Sequence, residues 1–335
     1  MKGFDLFAGI GGFHEGAKML LGDSYESIAF SDIDDKARQA YKLHFQKKIP
    51  IELGDITDIT LSNTNVSFGI KVIDSIQNNI PDHDILFAGF PCQPFSSMGK
   101  RKGFKDSRGT LFFDIETIIR VKKPNYIILE NVRGLLTIQK GKVMEYIIHS
   151  LKREGYEVAY WLLNGSDYGI AQTRRRVFII GRRDGRHKAI ESSSPPPKVN
   201  RNRLLTRSIK NLLDKNVDQK YYLSEKIKKT ILSNGTGGYS YKAEINMDPA
   251  RPLTYTMHKM HRASQDNYYS DKFIKGGSSH RIRRITPYEA LKIQGFSNSF
   301  SKKLLNSGFS DTQIYKFAGN AVSPIMVKNI LKHVL

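Results

Sequence analysis

The chain has 335 residues, of which 39% are hydrophobic and 25% charged, and this composition excludes a disordered chain or a mini-protein scaffold. The mean hydropathy of −0.42 and the lack of an apolar run of about 18 residues argue against a membrane-spanning helix. Lys and Arg number 53 against 32 Asp and Glu, a formal net charge of +21 at pH 7, which favours a polyanionic partner such as nucleic acid.

The first predicted element is a short buried strand over residues 2–8. The glycine turn GIGG at 9–12 follows, and then a helix from about Phe13 to Leu21. Glycines in such a turn allow a ligand to approach the backbone at the N-terminus of the next helix. This order of strand, glycine turn and helix is typical of the opening of a nucleotide-binding βαβ unit.

Strands and helices continue to alternate through the first half of the chain. This alternation predicts an α/β fold with a doubly wound, largely parallel, Rossmann-like sheet. The further strands are predicted at 27–31, 84–88, 126–129, 159–163 and 177–181, and the helices at about 35–45, 110–121 and 140–153.

A change of composition after Gly181 predicts a linker or domain boundary, because SSSPPP occupies residues 192–197. Residues 182–285 then hold 23 Lys and Arg against 9 Asp and Glu, a net charge of +14. Cations mixed with flat rings suit phosphates and bases. The same stretch carries seven tyrosines: Tyr221, Tyr222, Tyr239, Tyr241, Tyr255, Tyr268 and Tyr269. The final predicted helix covers Asn320 to Val334, after a turn at 318–321.

Two acidic residues extend the nucleotide-binding signal. Asp32 ends a predicted strand 23 residues after Gly9, where a carboxylate would accept hydrogen bonds from ribose hydroxyls. Asp55 in GDIT is a candidate acceptor for an adenine amino group. Either residue could instead be a helix N-cap, and the pattern alone does not distinguish NAD from S-adenosylmethionine.

The only cysteine, Cys92, lies in GFPCQPFS at 89–96, directly after the predicted strand DILFAG. A single cysteine forms no intrachain disulfide and fits a reducing compartment. The opening MKGFDLF is too short and too polar for a secretory signal, so we expect a cytoplasmic protein. A lone cysteine can be a small buried residue, but the prolines and glutamine beside it argue against burial. Its thiolate is suited to attack an electron-poor ring carbon.

Seven motifs occur in the order found in a known family, and the resemblance extends from Phe4 to about Ile330. They are FDLFAGIGGF at 4–13, the PCQ loop, DSRGTLFFDI at 106–115, ENV at 130–132, QTRRR at 172–176, RRITPYEALKIQGF at 283–296 and GNAV at 319–322. With them the chain resembles the cytosine-5 DNA methyltransferases of bacterial restriction-modification systems. The resemblance implies methyl transfer from S-adenosyl-L-methionine to C5 of a flipped cytosine in a short duplex DNA sequence.

The resemblance also implies the site residues. Cys92 would add to C6 of the cytosine, Glu130 would contact N3, Arg176 would contact O2, and Arg174 would brace the catalytic loop. An aromatic residue often stands where this chain has Ile33, and a branched aliphatic side chain stacks less well, but no loss of function follows. The implied cofactor-binding residues are Phe7, Gly9, Gly11, Gly12, Asp32, Ile33, Asp55, Ile56, Leu111, Asn320 and Ala321.

For the domains, the resemblance implies a catalytic domain over 1–185, completed by the C-terminal helix at about 310–335. A small domain would cover 186–309 and include the target-recognition region at about 186–280, and residues 97–109 would close over the flipped nucleotide. We expect a monomer that acts on double-stranded DNA, has no obligate protein partner and does not associate with a membrane. We expect no metal site, because His258 and His261 lack a cysteine or carboxylate partner.

Three alternatives are weaker. A tRNA cytosine-5 methyltransferase has the same fold but usually a shorter recognition region. An NAD-dependent oxidoreductase could use the glycine turn and Asp32, but it leaves the PCQ, ENV and arginine motifs unexplained. The presence of Cys92, Glu130 and Arg176 argues against a DNA-binding protein that has lost catalysis.

Overall fold

The computed structural model describes residues 1–46, 48–64, 66–91, 111–183, 194–199, 208–236 and 239–335. The chain divides into two compact units. The first comprises Met1–Leu163, Arg175–Pro196 and Ile330–Leu335, and the second comprises Asn164–Arg174 and Pro197–Asn329. The C-terminal helix was predicted to complete the catalytic domain from about residue 310, whereas in the structure the chain re-enters the first unit at Ile330. The roles assigned to the two domains stay predictions.

Among the described residues, seven strands form one sheet in the first unit. They are β1 (Lys2–Leu6), β2 (Glu26–Ser31), β3 (Ile51–Glu52), β4 (Ile85–Gly89), β5 (Tyr126–Val132), β6 (Glu157–Asn164) and β7 (Arg175–Arg182). The order across the sheet is β3-β2-β1-β4-β5-β7-β6. β1 pairs in parallel with β2 and β4, β2 with β3, and β4 with β5, while β7 is antiparallel to β5. The predicted α/β fold with a largely parallel sheet is therefore confirmed.

Helices cover both faces of this sheet. They are α1 (Gly12–Leu21), α2 (Asp35–Lys42), α3 (Ile56–Thr60), α4 (Ile70–Asn79), α5 (Leu111–Lys122) and α6 (Lys142–Arg153). The alternation of β1 shows the two faces. Phe4 and Leu6 enter the apolar core that also contains residues of α3 to α6, while Asp5 bonds Tyr41 of α2.

The second unit contains shorter elements. They are α7 (Glu225–Ile231), β8 (Gly235–Thr236), β9 (Tyr239–Ser240), β10 (Tyr268–Ser270), α8 (Asp271–Lys275), β11 (Ile282–Arg284), α9 (Pro287–Gln294), α10 (Asn298–Leu305) and α11 (Asp311–Asn320), and the last helix α12 (Pro324–Val334) ends in the first unit. β10 and β11 are antiparallel, as are β8 and β9. No helix that the structure describes is long and apolar enough to cross a membrane.

The predicted helix from Asn320 to Val334 is wrong at its start. A capping box at Ser310 begins α11, which extends into the turn expected at 318–321 and ends at Asn320. Pro324 then begins α12, because proline lacks the amide that a continuing helix needs and is tolerated in a first turn.

The interpretation of the tyrosines as a set for phosphates and bases is wrong for the buried ones. Tyr221, Tyr268 and Tyr269 are buried. The hydroxyl of Tyr268 donates to the His261 carbonyl at 2.6 Å, and that of Tyr269 to the Met247 carbonyl at 3.0 Å. These rings form part of the interior of the second unit, because a tyrosine can be buried once its hydroxyl has a partner.

Candidate active site

The loop between β1 and α1, residues 7–12, is called the glycine loop below. Phe7 and Gly9 both have φ of +53°, and Gly11 has φ of +86°. A Cβ placed on Gly9 would meet no atom within 4 Å, whereas one on Gly11 would lie 2.7 Å from Nε2 of His44. The glycine loop is therefore open to a ligand at Gly9 and closed at Gly11. Gly12 is buried as the first residue of α1.

Asp32 lies against the glycine loop at the carboxyl end of β2. Its Oδ2 accepts a hydrogen bond from the Gly9 amide at 2.8 Å, and its Oδ1 from the Asp34 amide at 2.9 Å. Burial raises the pKa of Asp32, and these two hydrogen bonds oppose the rise. The N-cap of α2 is Asp34, so the capping alternative does not apply to Asp32. The side chain of Ile33 beside it is 76% exposed.

Asp55 is the N-cap of α3. Its Oδ1 accepts from the amide of Thr57 at 3.0 Å and from the Thr57 hydroxyl at 2.8 Å. The capping alternative therefore describes its local contacts, and its contact with adenine stays a prediction. Ile56 is buried in the core of the first unit, and Leu111 is the half-buried first residue of α5.

Glu130 and Arg176 form an ion pair at the carboxyl end of β5. The Nε atom of Arg176 lies 3.0 Å from Oε1 of Glu130. The register of the sheet produces this contact, because Glu130 stands opposite Phe178 of β7, two residues from Arg176, so that both side chains lie on the same face of the sheet. Two of the four predicted catalytic residues are thus in direct contact within the first unit.

Cys92 and the predicted closing loop at 97–109 lie outside the described residues. The described chain reaches Pro91, and the carbonyl of Phe90 accepts a hydrogen bond from Nδ2 of Asn131 at 2.9 Å. The sequence analysis gave Asn131 no role of its own. The available signal was that Asn131 is a polar residue near the end of an apolar strand. In the structure its side-chain hydrogen bond fixes the backbone at Phe90, two residues before Cys92.

Arg174 lies buried in the second unit, where it bonds backbone carbonyls. Its guanidinium donates to the carbonyls of Leu253 at 2.9 Å, Gly319 at 3.1 Å and Ala321 at 3.1 Å. The catalytic loop that it was predicted to brace lies outside the described residues. Ala321 is buried and Asn320 is the exposed last residue of α11, and their cofactor contacts stay predictions.

A buried glutamine pair connects two of the sequence motifs inside the second unit. Nε2 of Gln172 donates to Oε1 of Gln294 at 2.7 Å, and Oε1 of Gln172 accepts from the Leu253 amide at 3.0 Å. Both side chains are fully buried. The pair therefore joins QTRRR to the end of α9, a contact that the sequence analysis missed because the two residues are 122 positions apart.

Cations lie over aromatic rings on the second unit. The guanidinium of Arg281 is 3.7 Å from the centre of the Tyr222 ring, and the ammonium of Lys316 is 5.5 Å from that of the exposed Tyr255. Nδ1 of His258 lies 3.1 Å from the Tyr255 carbonyl oxygen. In the part of the chain that the structure describes, no group of three His, Cys, Asp or Glu residues could hold a metal ion.

A family model and two relatives agree on one family. A family model described as C-5 cytosine-specific DNA methylase matches residues 1–335. The Type II methyltransferase M1.ScrFI of Lactococcus lactis subsp. cremoris is 35% identical over 100% of this chain and 78% of its own. The Type II methyltransferase M.HaeII of Haemophilus aegyptius is 35% identical over 98% of this chain and 91% of its own. The crystal structure of the S. pombe Dnmt2 methyltransferase shares the fold, with a TM-score of 0.74, 18% identity and coverage of 100% of this chain and 98% of that chain.

Proposed function

The chain belongs to the C-5 cytosine-specific DNA methylases, and we propose that it methylates C5 of a flipped cytosine within one short duplex DNA sequence. The methyl donor would be S-adenosyl-L-methionine. The observation that carries this proposal is the Glu130–Arg176 ion pair at 3.0 Å. It stands beside β4, the strand that leads into the Cys92 loop.

The residues at the carboxyl ends of β1 and β2 fit an adenosine-containing cofactor. Gly9 faces open space, which leaves room for the cofactor beside the backbone. The carboxylate of Asp32 accepts from two backbone amides, and its oxygens have further lone pairs for ribose hydroxyls. The exposed side chain of Ile33 offers apolar surface to an adenine ring. When bound, S-adenosyl-L-methionine would supply an electrophilic methyl group.

The catalytic residues would make C5 of the cytosine nucleophilic. The thiolate of Cys92 would form a bond to C6 while the C5–C6 double bond opens, and this leaves C5 enamine-like. Glu130, held by Arg176, would in its protonated form donate its proton to N3 and so withdraw electrons from C6, and it would take that proton back as Cys92 leaves. After methylation of C5, a base would remove the C5 proton, and the returning electron pair would expel Cys92.

Duplex DNA is the substrate that the charge and the relatives favour. Residues 182–285 carry a net charge of +14, which suits the phosphates of a duplex. Two relatives at 35% identity are named Type II methyltransferases, so we propose a role in modifying the target of a restriction-modification system. The tRNA alternative ranks below this one, because no contact in the described residues favours it.

Trapping of the covalent adduct tests the mechanism. In DNA that contains 5-fluorocytosine, the base cannot remove fluorine from C5, so the bond between Cys92 and C6 should persist after methyl transfer. We expect a denaturation-resistant protein–DNA complex that requires S-adenosyl-L-methionine, and we expect Cys92→Ser to bind DNA without forming it. A complex of equal yield with Cys92→Ser would refute the covalent scheme.

A further inference from the structure

The closed side of the glycine loop rests on a histidine that follows α2. Nε2 of His44 lies 2.8 Å from the carbonyl oxygen of Ile10. Since a carbonyl oxygen only accepts, this nitrogen must carry the proton. A Cβ on Gly11 would come within 2.7 Å of the same Nε2 and 3.1 Å of the Tyr41 ring. His44 therefore occupies the space that any side chain at Gly11 would need.

The imidazole of His44 is itself held in place by the layer between the sheet and α2. Its ring centre lies 5.0 Å from that of His14 and 5.9 Å from that of Tyr41. The hydroxyl of Tyr41 donates to Oδ2 of Asp5 at 2.9 Å, and its ring stacks on Phe30 at 4.2 Å. The Tyr41 ring beside His44 is thus anchored to β1 and β2.

We propose that His44 is a positioning residue for cofactor binding, which holds the glycine loop from behind so that Gly9 faces the cofactor. The hydrogen bond fixes the Ile10 carbonyl, and Gly9 and Gly11 flank that residue on either side. Loss of the bond would leave the loop with more than one conformation, and binding would then have to select the competent one. The proposal rests on the proposed function, since it takes S-adenosyl-L-methionine as the ligand of this loop.

The test replaces His44 in the full-length chain. His44→Leu removes the donor while keeping most of the volume, and His44→Gln places an amide nitrogen at about the position of Nε2. His149→Leu, on the exposed side of α6, is the matched control. Calorimetry gives the Kd for S-adenosyl-L-methionine, and steady-state assays give kcat and the KM for DNA.

We expect His44→Leu to raise the cofactor Kd about tenfold, with kcat at saturating cofactor and the KM for DNA within about twofold of the parent protein. His44→Gln should restore most of the affinity, and His149→Leu should match the parent. If His44→Leu does not fold, His44→Asn replaces it. Asparagine has the same amide but is one bond too short, so it should bind the cofactor more weakly than His44→Gln.

The proposal is overturned if a folded His44→Leu binds the cofactor as the parent does. It is also overturned if the Gln and Asn variants bind it equally, or if all variants weaken cofactor and DNA binding alike. Failure of the parent protein itself to bind S-adenosyl-L-methionine would instead refute the proposed function.

Discussion

Asp5 is a carboxyl group in the interior of the first unit, between the core residues Phe4 and Leu6 of β1. Burial raises its pKa from 3.8 to about 7, and the hydrogen bond from Tyr41 opposes part of that rise. The folded state therefore holds a proton that the unfolded state has released between about pH 4 and pH 7. The free energy of unfolding should fall through that window as the pH increases.

The variant Asp5→Asn tests this pH dependence. Asparagine keeps the size of the side chain and an acceptor for Tyr41, but it does not ionise. Relative to the parent protein, we expect Asp5→Asn to gain stability as the pH rises from 4 to 8, by an amount on the order of a few kcal/mol. Urea unfolding at several pH values measures the difference, and the exposed Asp23→Asn is the control. A difference that stays constant over this range would contradict the assignment.

Replacement of Asp32 should weaken binding of the cofactor but leave binding of DNA nearly unchanged. We expect Asp32→Ala to weaken binding of S-adenosyl-L-methionine at least tenfold, since the hydrogen bonds to the ribose and to the Gly9 amide are both lost. The Kd for DNA at fixed salt should change by less than about twofold. Asp35→Ala, on the exposed first turn of α2, provides the control. Equal losses of cofactor and DNA binding would show that the pocket has been misplaced.

The two acidic residues also show what could be predicted about single residues. Asp32 was predicted as a cofactor-binding residue from its position at the end of an apolar strand, and the structure places its carboxylate against the glycine loop. The same kind of signal at Asp55 precedes a short helix that it caps. His44 and Asn131 were missed because their contacts cross 34 and 41 residues. Such contacts depend on the register of the sheet and the path of α2, which no local pattern contains.

A fully buried ion pair joins β11 to α9. Nη1 and Nη2 of Arg283 donate to the two oxygens of Glu289 at 2.8 and 2.7 Å. Glu289 also accepts from the amides of Asp214 at 2.6 Å and Thr286 at 2.7 Å. Removal of either charge would leave the other one uncompensated in the interior.

Replacement of Arg283 should therefore destabilise the second unit strongly. We expect Arg283→Met to lower the free energy of unfolding by about 3–5 kcal/mol. Arg281→Met, two residues earlier, is the control. Arg281 is exposed and lies over the Tyr222 ring, so its loss should cost about 1 kcal/mol or less. Denaturant unfolding compares the two variants, and equal costs would contradict the role of the buried pair.

The elements could be predicted where burial produced a clear pattern. Apolar runs located β1, β2, β4, β5 and β7, because strands covered on both faces are apolar throughout. The edge strand β6 was also located, although it alternates between buried and exposed residues, because its exposed Tyr160 and Leu162 are apolar as well. The exposed two-residue strand β3 has no such run and is defined only by its pairing with β2. α4 was not predicted, although Ile70, Ile73 and Ile76 stand at helical spacing in the sequence. The break before Pro324 was missed because apolar periodicity continues across it.

The uneven distribution of charge along the whole chain indicates the class of partner. The excess of cations over residues 182–285 favours a polyanion, since phosphates attract cations whatever the base sequence. Specificity needs contacts with base edges, and charge does not reveal these. The buried Tyr268 and Tyr269 show that part of the apparent aromatic surface is interior.

The central claim is methyl transfer to cytosine in duplex DNA. The most direct test incubates the purified chain and S-adenosyl-L-methionine with unmethylated genomic DNA and maps modified cytosines by bisulfite-type sequencing, with Cys92→Ser as the inactive control. We predict 5-methylcytosine at one position of a single short motif with the parent protein and none with the variant. Unmodified DNA together with methyl transfer to tRNA would contradict the account.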